Sequence, residues 1–312
     1  MKIQNRKVIG KKKLPNQKRD VLTYALFMIW PTIQFVIFYI GVNFNSMIMA
    51  FQKYDAGAFV FDPTFHAMKQ MAYFFTNENG MRMVGYSFLS YIITLFINVP
   101  LGLFFSYYIS KKMPLSGIFR VILFIPSILS SIVTGVIFKA FVSNALPLIV
   151  GPSFVDPFSY SASSWATYGT VMFYNVFVSF GTSVLLYSNK MSAIPTEMLE
   201  AAKLDGASGF KEFWHIVLPQ TFPTLSVFIV SGFAGIFTNQ IGLYSIFSQE
   251  LTGNKVSSIQ TLGYYLFIRG SDYNNMAEFP KLVAIGLVIT LIALPLTLLL
   301  RWALNKFGPS EN

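Results

Sequence analysis

The stretch Glu200-Ala-Ala-Lys-Leu-Asp-Gly-Ala-Ser-Gly-Phe-Lys-Glu-Phe-Trp-His-Ile-Val-Leu-Pro219 is a polar island between two long apolar runs. Its local signals predict two short helices. Pro195 suits a first helical turn, Glu197 complements the positive helix end, and Gly206 supplies the left-handed residue that stops the helix after Asp205. Ser208 is the expected N-cap of a second helix, which carries Phe210, Phe213, Trp214, Val217 and Leu218 up to Pro219 and Pro223. Ala201, Ala202, Gly206 and Ala207 leave the backbone bare for close approach, and Glu200 and Asp205 add directional hydrogen-bond acceptors.

The runs on either side fix the class. The chain is 54% hydrophobic and 12% charged with 33 Phe, and its mean hydropathy is +0.55, so it lacks the polar surface a soluble domain needs. A membrane helix takes about 20 apolar residues. Counting such runs predicts an all-α membrane protein with crossings at 21–42, 84–109, 118–141, 165–187, 222–247 and 282–303. Residues 43–83 form the first outer loop, 84–303 the core, and 188–221 the polar loop between the fourth and fifth crossings. Pro31, Pro100, Pro126 and Pro295 inside these runs are tolerated because neighbouring helices satisfy freed backbone groups. Cysteine is absent, which excludes disulfides and thiolate metal sites.

Charge placement predicts orientation. Residues 1–20 form a basic tail holding Lys2, Arg6, Lys7, Lys11, Lys12, Lys13, Lys18 and Arg19, and the positive-inside rule puts it in the cytoplasm. An even number of crossings returns the tail 304–312 to the same side, along with Lys111, Lys112, Arg120 and the Glu200 stretch. The net charge of +10 is therefore read as orientation and headgroup attraction, with no nucleic-acid partner. Within the polar loop, Glu197, Glu200, Asp205 and Glu212 outweigh Lys203 and Lys211. An acidic face is poorly suited to adsorb on an anionic leaflet, so docking of a protein partner is expected instead.

At this point the residues resemble a known family. Glu200 to Pro219, ending near Pro223, is similar to the EAA loop of permease subunits of binding-protein-dependent ABC importers, and Met49-Ala-Phe-Gln-Lys-Tyr-Asp55 after the first crossing is similar to carbohydrate permeases. The resemblance implies a type I ABC importer permease fold of six crossings, with the loop as a cytoplasmic coupling helix seated on an ATPase subunit. Glu200, Ala201, Ala202, Asp205, Gly206 and Ala207 would make that contact. It further implies two ATPase subunits that hold ATP and Mg, a second permease, an extracellular solute-binding protein and a bacterial plasma-membrane location. The chain itself carries no G-x-x-x-x-G-K-[ST] phosphate loop, so it is expected to bind no cofactor and to be non-catalytic. The expected cargo is an oligosaccharide or other glycan, with peptides, amino acids, phosphate and polyols left open.

Polar groups at membrane depth are candidates for the cargo path. Tyr174 and Asn175 on the fourth crossing, Asn239 and Gln240 on the fifth, and Ser130 and Ser131 on the third form that set, with interhelical hydrogen bonding as their alternative role. Two other classes fail on the residues. Gly181-Thr-Ser183 fits a G-x-S pattern, but only His66 and His215 exist and both lie outside the crossings, where neither reaches the serine as a base. An ion-driven transporter needs Asp, Glu or His within the bilayer, and the six runs contain none.

Overall fold

A computed structural model of the chain describes residues 17–151, 153–207, 209–247 and 254–309. In chain order the elements are α1 (Thr23–Met49), a hairpin of β1 (Gln52–Asp55) and β2 (Ala58–Phe61), α2 (His66–Thr76), α3 (Glu78–Ser110), α4 (Ser116–Ile128) and α5 (Ser131–Val150). They continue with α6 (Ser164–Ser192), α7 (Thr196–Leu204), α8 (Gly209–Ala234), α9 (Leu243–Phe247), α10 (Asn254–Ile259), α11 (Leu262–Gly270) and α12 (Tyr273–Phe307). Six of these, α1, α3, α5, α6, α8 and α12, are long and apolar enough to cross a membrane. The all-α, six-crossing expectation is met. The basic tail and Ser208 lie largely or wholly outside the described residues.

Two crossings differ from the sequence reading. The run at 118–141 is broken at Leu129 and Ser130, both extended, and its helix resumes as α5 and continues to Val150. The break aims α5 at α9, where a Cβ on Gly135 would sit 2.4 Å from the Ser245 carbonyl oxygen. The run at 222–247 is helical only to Ala234. It then turns through residues 235–242, where Ile241 and Gly242 have φ of 49° and 81° and Asn239 Oδ1 accepts from the Ile241 amide at 2.8 Å. Ile241, Leu243, Ile246 and Phe247 are apolar because they are buried against α6, not because they face lipid.

The core is organised by α6. Helix α3 runs parallel to it, joined by polar contacts that advance together along both helices. Ser90 Oγ lies 2.9 Å from the Tyr168 hydroxyl, Asn175 Nδ2 donates to Thr94 Oγ1 at 3.2 Å, Asn98 Nδ2 donates to Ser179 Oγ at 2.7 Å, and Ser106 Oγ donates to the Val184 carbonyl at 3.0 Å. Such a bond within a membrane bundle is worth about 0.6 kcal/mol on average and about 1.7 kcal/mol at most. On the other side α4 and α5 run antiparallel to α6, with Arg120 donating to Asn189 at 2.6 Å and Tyr174 donating to the Ser131 carbonyl at 3.0 Å.

Close packing between α4 and α6 depends on Gly181, whose Cβ would lie 2.0 Å from the Leu123 carbonyl oxygen. Backbone cannot yield cheaply, so Gly181→Ala is expected to destabilise the purified protein by about 1–3 kcal/mol. Gly169, on the same helix, would meet nothing within 4 Å. Gly169→Ala is expected to hold or raise the melting temperature, since alanine restricts the unfolded chain and suits a helix. Equal losses in the two variants would refute the packing account.

At the end of the bundle where α3 begins, the hairpin turns through Ala56 and Gly57, both with positive φ as a tight two-residue turn requires. Asp62 then fixes the entry to α2. Its carboxylate accepts from the Thr64 hydroxyl at 2.7 Å, the Thr64 amide at 3.0 Å and the His66 amide at 2.8 Å. These bonds, the Thr64 hydroxyl foremost, hold its pKa at about 2. No residue of the membrane span of α1 is buried, and its last turns, Val42–Met49, are what pack against α12 and β1.

Candidate coupling surface and translocation cavity

The polar island lies at the opposite end of α3 from the hairpin. Helix α7 begins after Pro195, carries Glu197 in its first turn and Lys203 in its last, and is closed by a Schellman arrangement. The Ala207 amide donates to the Ala202 carbonyl at 2.9 Å and the Gly206 amide to the Lys203 carbonyl at 3.1 Å, with Gly206 at φ 76°. That is the stop the glycine predicts. Ala202 is buried and Leu199 packs on a cluster of Leu103, Tyr187, Met191, Ile194, Phe213, Val217 and Leu225. The opposite face, with Glu200, Ala201, Lys203, Leu204 and Asp205, is open, and Leu204 is 89% exposed. Phe210 and Trp214, at the start of α8, are exposed as well.

The second predicted helix is not a separate element. Residues from Gly209 pass through a wider turn at Phe213–Val217 and continue into α8 without a break, so Pro219 and Pro223 sit in the first turns of a crossing. Phe213 points inward, its ring 5.8 Å from Phe104 and 5.2 Å from Tyr107.

Glu212 also departs from the sequence reading. It is 2% exposed and forms an ion pair with Lys111, from the turn after α3. The Tyr107 hydroxyl donates to the Gly209 carbonyl at 3.0 Å, with the Glu212 carboxylate 3.5 Å away. The exposed acidic face is therefore Glu197, Glu200 and Asp205 alone, and Glu212 is an internal strut. No spacing in the sequence links positions 111 and 212. The available signal is that a carboxylate between Phe210, Phe213 and Trp214 requires a partner if buried.

Between α3, α6, α8 and the turn at 235–242 lies a cavity of about 500 Å³. This is within the range of about 300–1,000 Å³ typical of small-molecule sites. Asn239 lines it; the other five path candidates do not. Tyr174 is buried against α5, its hydroxyl 2.9 Å from Thr134 Oγ1, and Ser130 and Ser131 carry the backbone at that contact. Asn175 serves the joint with α3, and the Gln240 carbonyl accepts from the Leu243 amide at 2.9 Å. Asn98, Ser179, Ser183 and Ser231, absent from the candidate set, line the wall instead. Asn98 is legible as an amide inside an apolar run. Ser183 has no imidazole near it, since His66 and His215 sit at opposite ends of the bundle. Among the described residues no group of three or more His, Asp or Glu side chains is placed to hold a metal.

Comparison with known proteins agrees with this architecture. Residues 98–310 match the family described as binding-protein-dependent transport system inner membrane component. The arabinooligosaccharides transport system permease protein of Bacillus subtilis is 27% identical over 278 residues, covering 86% of this chain and 83% of that one. The multiple sugar-binding transport system permease protein of Streptococcus mutans is 25% identical over 275 residues, covering 85% and 92%. Among solved structures, a bacterial ABC transporter involved in import of the acidic polysaccharide alginate is similar at a TM-score of 0.74. It is 18% identical, and the match covers 93% of this chain and 97% of that one. The alginate transporter in complex with an alginate pentasaccharide-bound periplasmic protein gives 0.75 at 18% identity, covering 94% and 97%.

Proposed function

The chain belongs to the binding-protein-dependent transport system inner membrane component family, and from that premise we propose that it is one permease subunit of a type I ABC importer for oligosaccharides. The observation that carries the coupling half of this reading is α7. It is a short helix held from beneath by a buried cluster, with an open face of small, acidic and apolar residues. Glu200, Ala201, Asp205 and Gly206 present that face to the ATPase, while Ala202 and Ala207 form the base and the stop that position it. Two ATPase subunits supply ATP and Mg, and this chain contributes no catalysis of its own.

The cargo assignment is supported by relatives named for arabinooligosaccharide and multiple-sugar transport. A second, different permease completes the path, and an extracellular solute-binding protein docks on the face that carries the β1–β2 hairpin and α2. The lysine and arginine distribution supports a cytoplasmic location for both termini and for α7, in a bacterial plasma membrane.

The test is uptake by the assembled complex in proteoliposomes loaded with ATP, offered labelled oligosaccharides, peptides and amino acids with the cognate binding protein. ATP-dependent accumulation of an oligosaccharide, absent without the binding protein, is the expected result. Uptake that ignores ATP, or that is confined to peptides or amino acids, would overturn the proposal.

A further inference from the structure

A separate pocket of about 310 Å³ lies at the end of the bundle where α3 begins, between α2, α3, α11 and α12. It shares no lining residue with the cavity described above. Helix α2 is held close over α3 there, since a Cβ on Gly80 would overlap the Phe74 carbonyl, and the Phe74 ring stacks on Tyr265 of α11 at 5.3 Å. Lys281, near the start of α12, is the one charged side chain in the lining.

That lysine is poorly matched by the protein. Its side chain is only 19% exposed, and its nearest carboxylate, Glu278, lies 3.8 Å away, too far for a hydrogen bond. The same carboxylate is shared with Arg269 at 3.9 Å, and Glu278 Oε2 is buried with no hydrogen-bond partner. One carboxylate between two cations leaves this corner with a surplus positive charge. Among the described residues the Lys281 ammonium, which carries three donors, makes no hydrogen bond. Holding such a group out of water without an acceptor is costly. The Asn79 side chain and the Tyr265 hydroxyl, on the same wall, also hold no hydrogen bond among the described residues. Asn77 and Gln70 are committed, Asn77 Nδ2 donating to the Tyr73 hydroxyl at 3.2 Å and Gln70 Nε2 lying 2.9 Å from His66 Nε2. The pocket therefore presents an ammonium, an amide and a phenol to a ligand rich in acceptors and carrying negative charge.

Its level in the molecule narrows the choice. Lys281 directly precedes the run 282–300 and Arg82 the run 83–110, and neither run contains a charged residue. The pocket, set between those two helix ends, lies at the membrane boundary, where headgroup phosphates are found. We propose that it binds a phosphate oxyanion, with Lys281 as the counter-charge and Asn79 and Tyr265 as hydrogen-bond donors. A phosphate supplies several acceptor oxygens, and charge-assisted bonds to it are among the strong ones. The headgroup of an anionic phospholipid and the free ion share this chemistry. Bound there, the anion satisfies Lys281 and pins α2 and α11 to the ends of α3 and α12.

The test is hydrogen–deuterium exchange, read on residues 66–83, in the complete permease–ATPase complex. The complex is stripped of native lipid and reconstituted in nanodiscs of phosphatidylcholine alone, of phosphatidylcholine with phosphatidylglycerol, or of phosphatidylcholine with added inorganic phosphate. Exchange is expected to slow about tenfold with phosphatidylglycerol, with phosphate or with both, as a ligand at roughly ten times its Kd would produce. Slowing by phosphatidylglycerol alone identifies the headgroup as the source, and slowing by phosphate identifies the free ion as sufficient. Lys281→Met is expected to lose the effect and Lys281→Arg to keep it, each in a complex that retains its ATPase subunits and whose α7 exchanges as in the parent. Exchange that neither probe slows, or slowing that survives Lys281→Met, would overturn the inference. So would protection given only by the solute-binding protein and lost in Lys281→Met, which would assign the pocket to a carboxylate of that partner.

Discussion

Replacing Lys111 with methionine is expected to destabilise the protein by about 3 kcal/mol, because it strands a buried carboxylate. Glu212 is 3% exposed in its side chain, whereas Lys111 is 27% exposed and sits 5.5 Å over the Tyr107 ring. Removing the lysine leaves Glu212 with only the Tyr107 hydroxyl, at 3.5 Å. The partial exposure of Lys111 puts the effect at the lower end of the usual range for breaking a buried pair. Thermal unfolding in detergent measures it. The pair joins the turn after α3 to the start of α8, so its loss should also loosen α7 relative to the bundle and raise protease cleavage between positions 192 and 215. The double variant Lys111→Met, Glu212→Leu should recover most of the stability, since apolar side chains of similar volume replace ion pairs at little cost. A double variant no more stable than Lys111→Met would show that the pair is not the strut described.

Glu200→Lys combined with Gly206→Val is expected to uncouple ATP hydrolysis from transport. Uptake should fall by about tenfold or more, the loss expected from about 1.4 kcal/mol of interaction between subunits. The two changes act differently. Glu200 is exposed on the open face of α7, so lysine there reverses the charge offered to a partner and leaves the fold alone. Gly206 has φ 76°, which a β-branched residue rarely adopts, although a Cβ would meet nothing within 4 Å. Valine therefore strains the Schellman stop without any clash and shifts where α7 ends. Hydrolysis by the assembled complex that still responds fully to loaded binding protein, with normal uptake, would remove α7 from the coupling role.

What the sequence made legible and what it hid follow from the range of the interactions. Helix α7 was readable because Pro195, Glu197 and Gly206 act within one or two turns of themselves. The crossings were readable as lengths of apolar chain. The breaks were not, because Leu129, Ile236 and Ile241 are as apolar as residues facing lipid, and hydropathy does not distinguish lipid from a protein interior. Glu212 was misread as a surface acid because its partner is 101 positions away in the chain. The cavity was the least legible feature, since its wall is assembled from α3, α6 and α8 together. Of the proposed path residues only Asn239 reached it. Membrane depth singles out Tyr174 and Asn175, but depth says nothing of which side of α6 they occupy.

The parallel joint between α3 and α6 has a mechanical meaning. Its bonds run from Ser90 to Ser106 on one helix and from Tyr168 to Val184 on the other, a span of about 24 Å at 1.5 Å per residue. Sliding one helix past the other by a single residue breaks all of them at once. The two are therefore tied as one stiff plank, which α8 meets through the Tyr91 to Ile229 bond and the Tyr187 and Phe228 rings. Under the proposed function, a stroke received at α7 would reach the cavity by tilting α8 against that plank, closing it like a jaw with one immobile side.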